Sequence, residues 1–236
     1  MWKPTLALGL SAAVMAAAPS LLRSEEKAPI RLFATKGVPG DWVIGRVRDL
    51  SETAPPEAKW FVDDEGILTG RNTYDTWLMS KAEYGDFELK LEIKVSALGN
   101  SGVALRTPMH GHPCYEGMEV QIADPRYYEG KGLPEQLSGA IYRALPPRKQ
   151  AFKPEGWNTC QITCRGPRIK VVLNGEVVQD FNLDEQTATL RQDKAGATAA
   201  PLKNRPRKGH IGFQELCRDG GHTQIRNVTL RPLDKN

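Results

Sequence analysis

The sequence predicts an all-β chain folded as a two-sheet sandwich or jelly roll. Three observations carry that reading. After residue 28 the hydrophobic pattern is mostly of period two, as in strands with one buried face. The runs are short and are punctuated by Gly, Pro and Asn, and no long stretch keeps a helical period. Antiparallel sheets bury one face each and need a second sheet to cover it, so many short strands imply two layers.

In chain order, the first clear strand is 87–95, where Glu88, Lys90 and Glu92 alternate with Phe87, Leu89, Leu91 and Ile93. Residues 102–106 follow the tight turn Gly99-Asn100-Ser101-Gly102 and turn Arg106 outward. In 119–123, Val120 and Ile122 go to the core and Glu119, Gln121 and Ala123 to the other face. Residues 140–142 form a short strand behind Gly139, and 158–165 a longer one. Strands 170–173 and 176–181 flank Asn174-Gly175, a type I′ hairpin signal because both central residues need positive φ. Strands 210–214 and 223–231 close the pattern. Residues 50–59, with Pro55-Pro56, read as a connection. Residues 184–208, rich in Thr, Ala, Gln, Lys and Pro without periodicity, read as a long surface loop.

The 236 residues suffice for one large sandwich, and 25% charged residues are ordinary for a globular protein. The net charge is +4, with both signs interleaved apart from a short cluster at 203–208. No basic stripe points to nucleic acid. At the N-terminus, Lys3, the apolar residues 5–18 and the polar residues 23–27 form a secretory signal pattern. The apolar stretch is shorter than the roughly 20 residues of a membrane span. Residues 1–27 are therefore read as a signal peptide and linker before a domain at 28–236, exported to the periplasm or the exterior, with no membrane insertion after processing. Ala16-Ala17-Ala18 suits cleavage but is followed by Pro19, so a site nearer Ser24 also fits. No Cys lies near the end of the stretch to anchor a lipoprotein.

The four cysteines are Cys114, Cys160, Cys164 and Cys217. Four apart in a strand, Cys160 and Cys164 would have Cα atoms about 13 Å apart, beyond the roughly 7 Å limit of a bridge. The same spacing defeats a Cys-x3-Cys zinc site. Either can link to Cys114 or Cys217, or all can be buried thiols acting as small hydrophobes.

Glu119 and Gln121 stand side by side on the outer face of a strand, as a sugar-binding concave sheet would need. Glu88, Lys90 and Glu92, together with Arg106, are read as sharing that surface. A solvated sheet face is the plainer reading of any one of these strands. The small residues Gly102, Gly139 and Ala140 favour a ligand, because they mark close approach. His110-Gly111-His112, flanked by Pro108 and Pro113, reads as a polar loop before it reads as a metal site. His210 and His222 are read as structural, and no Gly-x-Ser-x-Gly motif supports a nucleophilic serine. Trp42, Trp60, Trp77 and Trp157 are assigned to packing.

A set of motifs in register resembles the 3-keto-disaccharide hydrolase family, whose members are also described as 3-keto-glucoside lyases or hydratases. It comprises Leu32-Phe33 with Trp42, Asp64 to Leu68, Tyr84-Gly85-Asp86-Phe87, and Gly99 to Val103 with Arg106. It continues with Gly117 to Ile122 and Asp124, Ser138 to Tyr142, Trp157-Asn158, Leu173-Asn174-Gly175, Gly209 to Gln214, and Arg226-Asn227-Val228. The resemblance covers residues 30–233 and implies a concanavalin A-like jelly-roll β-sandwich exported by bacteria. It implies chemistry on glycosides oxidised at C3: a base removes the C2 proton, the C1 oxygen leaves by elimination, and water adds back. By motif, Glu119 becomes the acid/base, Arg106 and Gln121 hold or polarise substrate oxygens, and Glu92, Tyr142, Gln214 and Asp124 complete the pocket. A divalent metal bridging the C2 and C3 oxygens would serve the same end.

The chain departs from the family where relatives read Gln-Asp-His-Gly, having Gln214-Glu215-Leu216-Cys217. Either His222 takes the missing histidine's place, or this member has lost a ligand or acid. A lectin-like module that binds glycans without cleaving them is the rival from another class. An ordinary glycosidase would need Glu119 and Glu92 across a cleft, about 5 to 9 Å apart.

Overall fold

The computed structural model describes Met1 and residues 27–71, 73–191, 198–218 and 220–233. The apolar segment 5–18 and the cleavage region lie outside the described residues. The first strands are β1 (Ile30–Arg31), β2 (Trp42–Arg46), β3 (Lys59–Val62), β4 (Leu68–Arg71), β5 (Thr76–Ser80), β6 (Phe87–Val95) and β7 (Asn100–Thr107). A one-turn helix, α1 (Pro113–Glu116), leads into β8 (Met118–Ala123), β9 (Asn158–Arg165), β10 (Arg168–Leu173) and β11 (Glu176–Asn182). After these come β12 (Leu190–Arg191), β13 (Thr198–Ala199), β14 (His210–Glu215) and β15 (Thr223–Pro232).

Two antiparallel sheets result. The larger runs β11-β10-β9-β6-β15-β4-β3, with β1 on β15, and the smaller runs β2-β5-β14-β7-β8. The core lies between them. Leu89, Ile93, Ile162, Val171 and Leu230 from the large sheet meet Leu78, Val103, Val120, Ile122 and Phe213 from the small one. Each such side chain contributes roughly 1.5–3 kcal/mol on burial. A register slip of one residue would turn a whole row outward, so pairing is tightly specified. The predicted hairpin is present: Asn174 and Gly175 have φ of 51° and 83°, between the pair Leu173 and Glu176.

Several expectations change. The edge and cross strands β1 to β5 were not legible. In β5 all five residues are buried, because Trp77 and Met79 are covered on the outer side by Val47 and Leu50, so no alternation exists to read. Residues 184–208 are not a bare loop: β12 and β13 pair, and Leu190, Ala199 and Leu202 join the core, while 192–197 lie outside the described residues. Residues 140–142 form no strand, and Ile141 only bridges Val120 and Leu145. All four cysteines are free and buried, and burial pushes the Cys160 and Cys164 thiols up to about 12. Trp60 and Trp77 are core residues, whereas Trp157 is half-buried with the Arg226 guanidinium 4.1 Å over its ring.

The shared polar surface is also corrected. β6 and β8 belong to opposite sheets, so Glu88, Lys90 and Glu92 are on the far side of the sandwich from Glu119. Glu92 there accepts hydrogen bonds from Arg226 Nε at 2.7 Å and Asn227 Nδ2 at 3.0 Å.

Arg106 does not turn outward. Ala104 faces Gly212 and Thr107 faces His210, so Leu105 and Arg106 oppose the single residue Ile211 in a β-bulge. Arg106 takes φ 50° and is fully buried. Its guanidinium donates to Gly85 O at 2.7 Å, Gly166 O at 2.8 Å and Asp86 Oδ1 at 3.1 Å, tying the small sheet to two turns of the large one. Arg106→Met leaves these acceptors unpaired and destabilises the protein by about 3–5 kcal/mol. Denaturant titration checks this, and a loss below about 1 kcal/mol would contradict the clamp.

Candidate functional site

The site follows from the register of the small sheet. Asn100 pairs with Ala123, Gly102 with Gln121, and Ala104 with Glu119. On the other side Phe213 faces Val103, which sets Gln214 level with Gly102, and Gln214 itself faces Trp77. Period two then puts Asn100, Gly102, Glu119, Gln121 and Gln214 on one outer face. Gly102, Ala104 and Gly212 make its centre low. A Cβ on Gly102 would stand 2.2 Å from Glu119 Oε1, so the glutamate lies across that glycine, between Gln121 and Gln214.

Loops raise walls around this floor and enclose a cleft of about 700 Å³. The segment 139–142 straps along the free edge of β8: Gly139 N donates to Gln121 O at 2.8 Å and Tyr142 N to Glu119 O at 2.9 Å. That strap sets Tyr142 and Arg143 on one wall. Asp124 caps the 3-10 turn Pro125–Tyr128 and is held by Arg126, with Arg126 Nη2 at 2.6 Å. The turn brings Tyr128, whose Oη accepts from Gln121 Nε2 at 2.6 Å. His112 caps α1, its Nδ1 accepting from Cys114 N at 3.3 Å, and lines the cleft beside Tyr115. Val47, Arg48, Tyr74 and Asp75 form the opposite side.

Four buried acceptor atoms in this cleft lack a hydrogen-bond donor among the described residues: Asn100 Oδ1, Glu119 Oε2, Gln121 Oε1 and Gln214 Oε1. Buried polar atoms are almost always paired, and leaving one bare costs about 1–3 kcal/mol. Their convergence leaves the floor of the cleft with free acceptors that a donor-rich ligand could pair. Burial raises the Glu119 carboxyl to about 8. It also raises Tyr128 and Tyr142, which keeps them protonated as donors, and pushes His112 down to about 4, which keeps its imidazole neutral.

A family model for the 3-keto-alpha-glucoside-1,2-lyase-like domain matches residues 32–231. The chain belongs to this family. Among related proteins, a 3-keto-disaccharide hydrolase of Bacteroides thetaiotaomicron is 24% identical over 174 residues, 64% of this chain and 60% of that protein. The chain thus spans less than two thirds of that curated relative. A crystal structure of a candidate glycosyl hydrolase from Parabacteroides distasonis matches with TM-score 0.65 and 27% identity, covering 81% of this chain and all of the other. The GH16 endo-beta-1,3(4)-glucanase SCLam matches with TM-score 0.50 and 12% identity over 89% of this chain and 95% of its own, a likeness of fold alone. The architecture is the concanavalin A-like jelly-roll sandwich.

Of the residues that the resemblance singles out, this 3-keto-alpha-glucoside-1,2-lyase-like domain brings Glu119, Gln121, Gln214 and Tyr142 together in the cleft. Arg106, Glu92 and Asp124 stand outside it, the first as a clamp between sheets, the second in an ion pair on the other sheet, the third as a turn cap. His222 does not line the cleft either. Sequence reasoning missed Asn100, His112 and Tyr128 as members. Asn100 was within reach, since it shares a face with Gly102 at period two, whereas nothing local announces Tyr128.

The donor set does not fit a transition-metal centre of clustered imidazoles or thiolates. Among the described residues no three His, Cys, Asp or Glu side chains group together, and the floor offers one carboxyl with neutral amide oxygens. Hard cations take Asn and Gln carbonyl oxygens beside one or two carboxylates, so such an ion would be held by Glu119, Gln121, Gln214 and Asn100.

Proposed function

We propose that the protein acts on glycosides oxidised at C3 of the sugar, by C2 proton abstraction and elimination at C1 with net hydrolysis. The observation that carries this reading is Glu119: a fully buried carboxyl, lying over Gly102 at the centre of a cleft, whose raised pKa has burial as its resolved cause. Such a group is a strong base once ionised, and its proton affinity approaches the operating pH, where general catalysis is most effective. The reading also draws on the family and on the name of the Bacteroides relative.

A carbonyl at C3 acidifies the C2 proton. The Glu119 carboxylate takes that proton, and the C–H electron pair moves into the enolate, placing negative charge on the C3 oxygen. His112 suits the role of donor to that oxygen. Its Nδ1 accepts from Cys114 N, so the ring proton resides on Nε2, and the ring is neutral near pH 7. The enolate pair then returns to form the C1–C2 double bond as the C1–O bond breaks. A protonated hydroxyl, Tyr142 or Tyr128, gives the leaving oxygen its proton. Water adds back at C1 and a proton at C2, which restores the 3-keto sugar and completes hydrolysis. Amide oxygens of Gln121, Gln214 and Asn100 accept from the sugar hydroxyls and hold the ring. The export signal read at residues 5–18 belongs to the same proposal, which puts the encounter with substrate outside the cytoplasm.

A two-carboxylate glycosidase built on Glu119 and Glu92 is not supported, since the pair sits on opposite sheets. The test is aglycone release from a 3-keto glucoside and its unoxidised parent, each with and without chelator. Release from the keto sugar alone is the expected result, and its loss with chelator would add a divalent cation to the cleft. Release from the parent would overturn the elimination, and no release from either with retained sugar binding would make this a glycan-binding module.

A further inference from the structure

The walls of the cleft carry more positive than negative charge. Among the described residues its lining holds three guanidiniums, those of Arg48, Arg143 and Arg218, and two carboxyls, those of Asp75 and Glu119. Glu119 lies on the floor over Gly102, and Asp75 has a cation of its own, with Arg46 Nη1 at 4.0 Å. A recess lined mainly by one sign of charge concentrates ligands of the other sign.

Two of the arginines are set in place by neutral groups. Arg218 is docked on the turn that carries Tyr128: its guanidinium carbon lies 5.0 Å from the centroid of the Tyr127 ring, and Nη2 donates to Tyr127 Oη at 3.3 Å. Tyr74, from the opposite side of the cleft, is a second hydrogen-bond partner. These two hydroxyls engage only part of its five N–H donors and cancel none of its charge. Arg143 has its guanidinium carbon 5.6 Å from the Tyr142 ring centroid and a backbone φ of 63°. Glycine or asparagine takes that left-handed conformation more easily than arginine does, so the turn alone does not account for this residue. A planar guanidinium held in this way matches the paired oxygens of a carboxylate or sulfate.

We propose that these arginines bind an anionic group of the substrate, a carboxylate or sulfate carried beyond the ring that lies over Gln121 and Gln214. This assignment rests on the reading of the cleft as the substrate site. The anion belongs either to the leaving group or to C6 of the oxidised ring, and neutral glycosides are the weaker ligands.

Calorimetric titration of the Glu119→Gln protein tests the assignment with three 3-keto glycosides: a neutral one, one with a carboxylate on the leaving group and one with a carboxylate at C6. The three unoxidised counterparts are titrated into the parent. At least one acidic ligand binds about tenfold tighter than the neutral one in each series, and the one that does identifies the carrier of the anion. That preference shrinks several-fold between about 50 mM and about 500 mM salt. It shrinks likewise in Arg218→Gln and in Arg48→Gln, two independent variants from opposite sides of the cleft, while Arg218→Lys keeps part of it. Equal affinity for all three ligands, or a preference that neither salt nor either glutamine variant reduces, would overturn the assignment. An acidic preference in a protein that releases nothing from keto glycosides would keep the role of the arginines and sink the elimination chemistry. Turnover of keto glycosides without that preference would do the reverse.

Discussion

Glu119→Gln abolishes turnover of 3-keto glycosides, by at least about a thousandfold, while sugar binding survives. The amide keeps the size and the hydrogen-bonding oxygen of the side chain but cannot take a proton from C2. The same substitution changes stability in a way that an inert surface glutamate would not. Folded Glu119 holds its proton up to about pH 8, against an ordinary value of 4.5 in the unfolded chain. Across that window the folded state binds more protons than the unfolded one, so stability falls as pH rises from about 4.5 to about 8. Glutamine has no charge to bury. The variant is therefore more stable than the parent at pH 8, by a few kcal/mol on the order of one pKa unit per 1.4 kcal/mol, and gains nothing at pH 4. Thermal denaturation at both pH values, with kinetics alongside, checks the pair of effects. The parent's kcat/KM rises with pH toward about 8 as the carboxylate forms. Retained turnover in the variant, or an equal stability difference at both pH values, would remove Glu119 from the role of base.

Gly102→Ala is expected to cost about a hundredfold in kcat/KM, although no atom of Gly102 takes part in the chemistry. The new Cβ would lie 2.2 Å from Glu119 Oε1 and 2.8 Å from its carboxyl carbon. Both are far inside contact distance, so the side chain must leave the space between Gln121 and Gln214. Displaced toward water, Glu119 loses the burial that raises its pKa. The residual activity should then reach its plateau at a lower pH than the parent's. Strand geometry at Gly102 does not require positive φ, so the backbone tolerates alanine and the fold survives. A pH–rate profile with circular dichroism separates these outcomes. A folded variant with parental rate and profile would mean that Glu119 does not work from its place over the glycine.

Alternation in 119–123 sends Glu119 and Gln121 outward and Val120 and Ile122 inward, and the structure keeps that division. The outward face proved to be a walled cleft, since both residues are nearly inaccessible. Those walls come from the strap at 139–142, the turn after Asp124 and the loop before α1, none of which has a period. Arg106 fails for a related reason: the bulge at Leu105 and Arg106 inserts one residue into the ladder and reverses the direction that counting by two predicts.

Sequence by itself determined the all-β class, the hairpin at Asn174-Gly175 and the direction of the alternating residues on β6 and β8. Alternation and turn chemistry are properties of a few consecutive residues. Only the tertiary structure decided that β6 and β8 belong to different sheets, that β5 is covered on both faces, and that Asn100, His112, Tyr128 and Gln214 meet around Glu119. Backbone ladders offer the same donors and acceptors whatever the side chains. Which strands pair is therefore settled by packing the two buried faces together, a long-range outcome that no local pattern records.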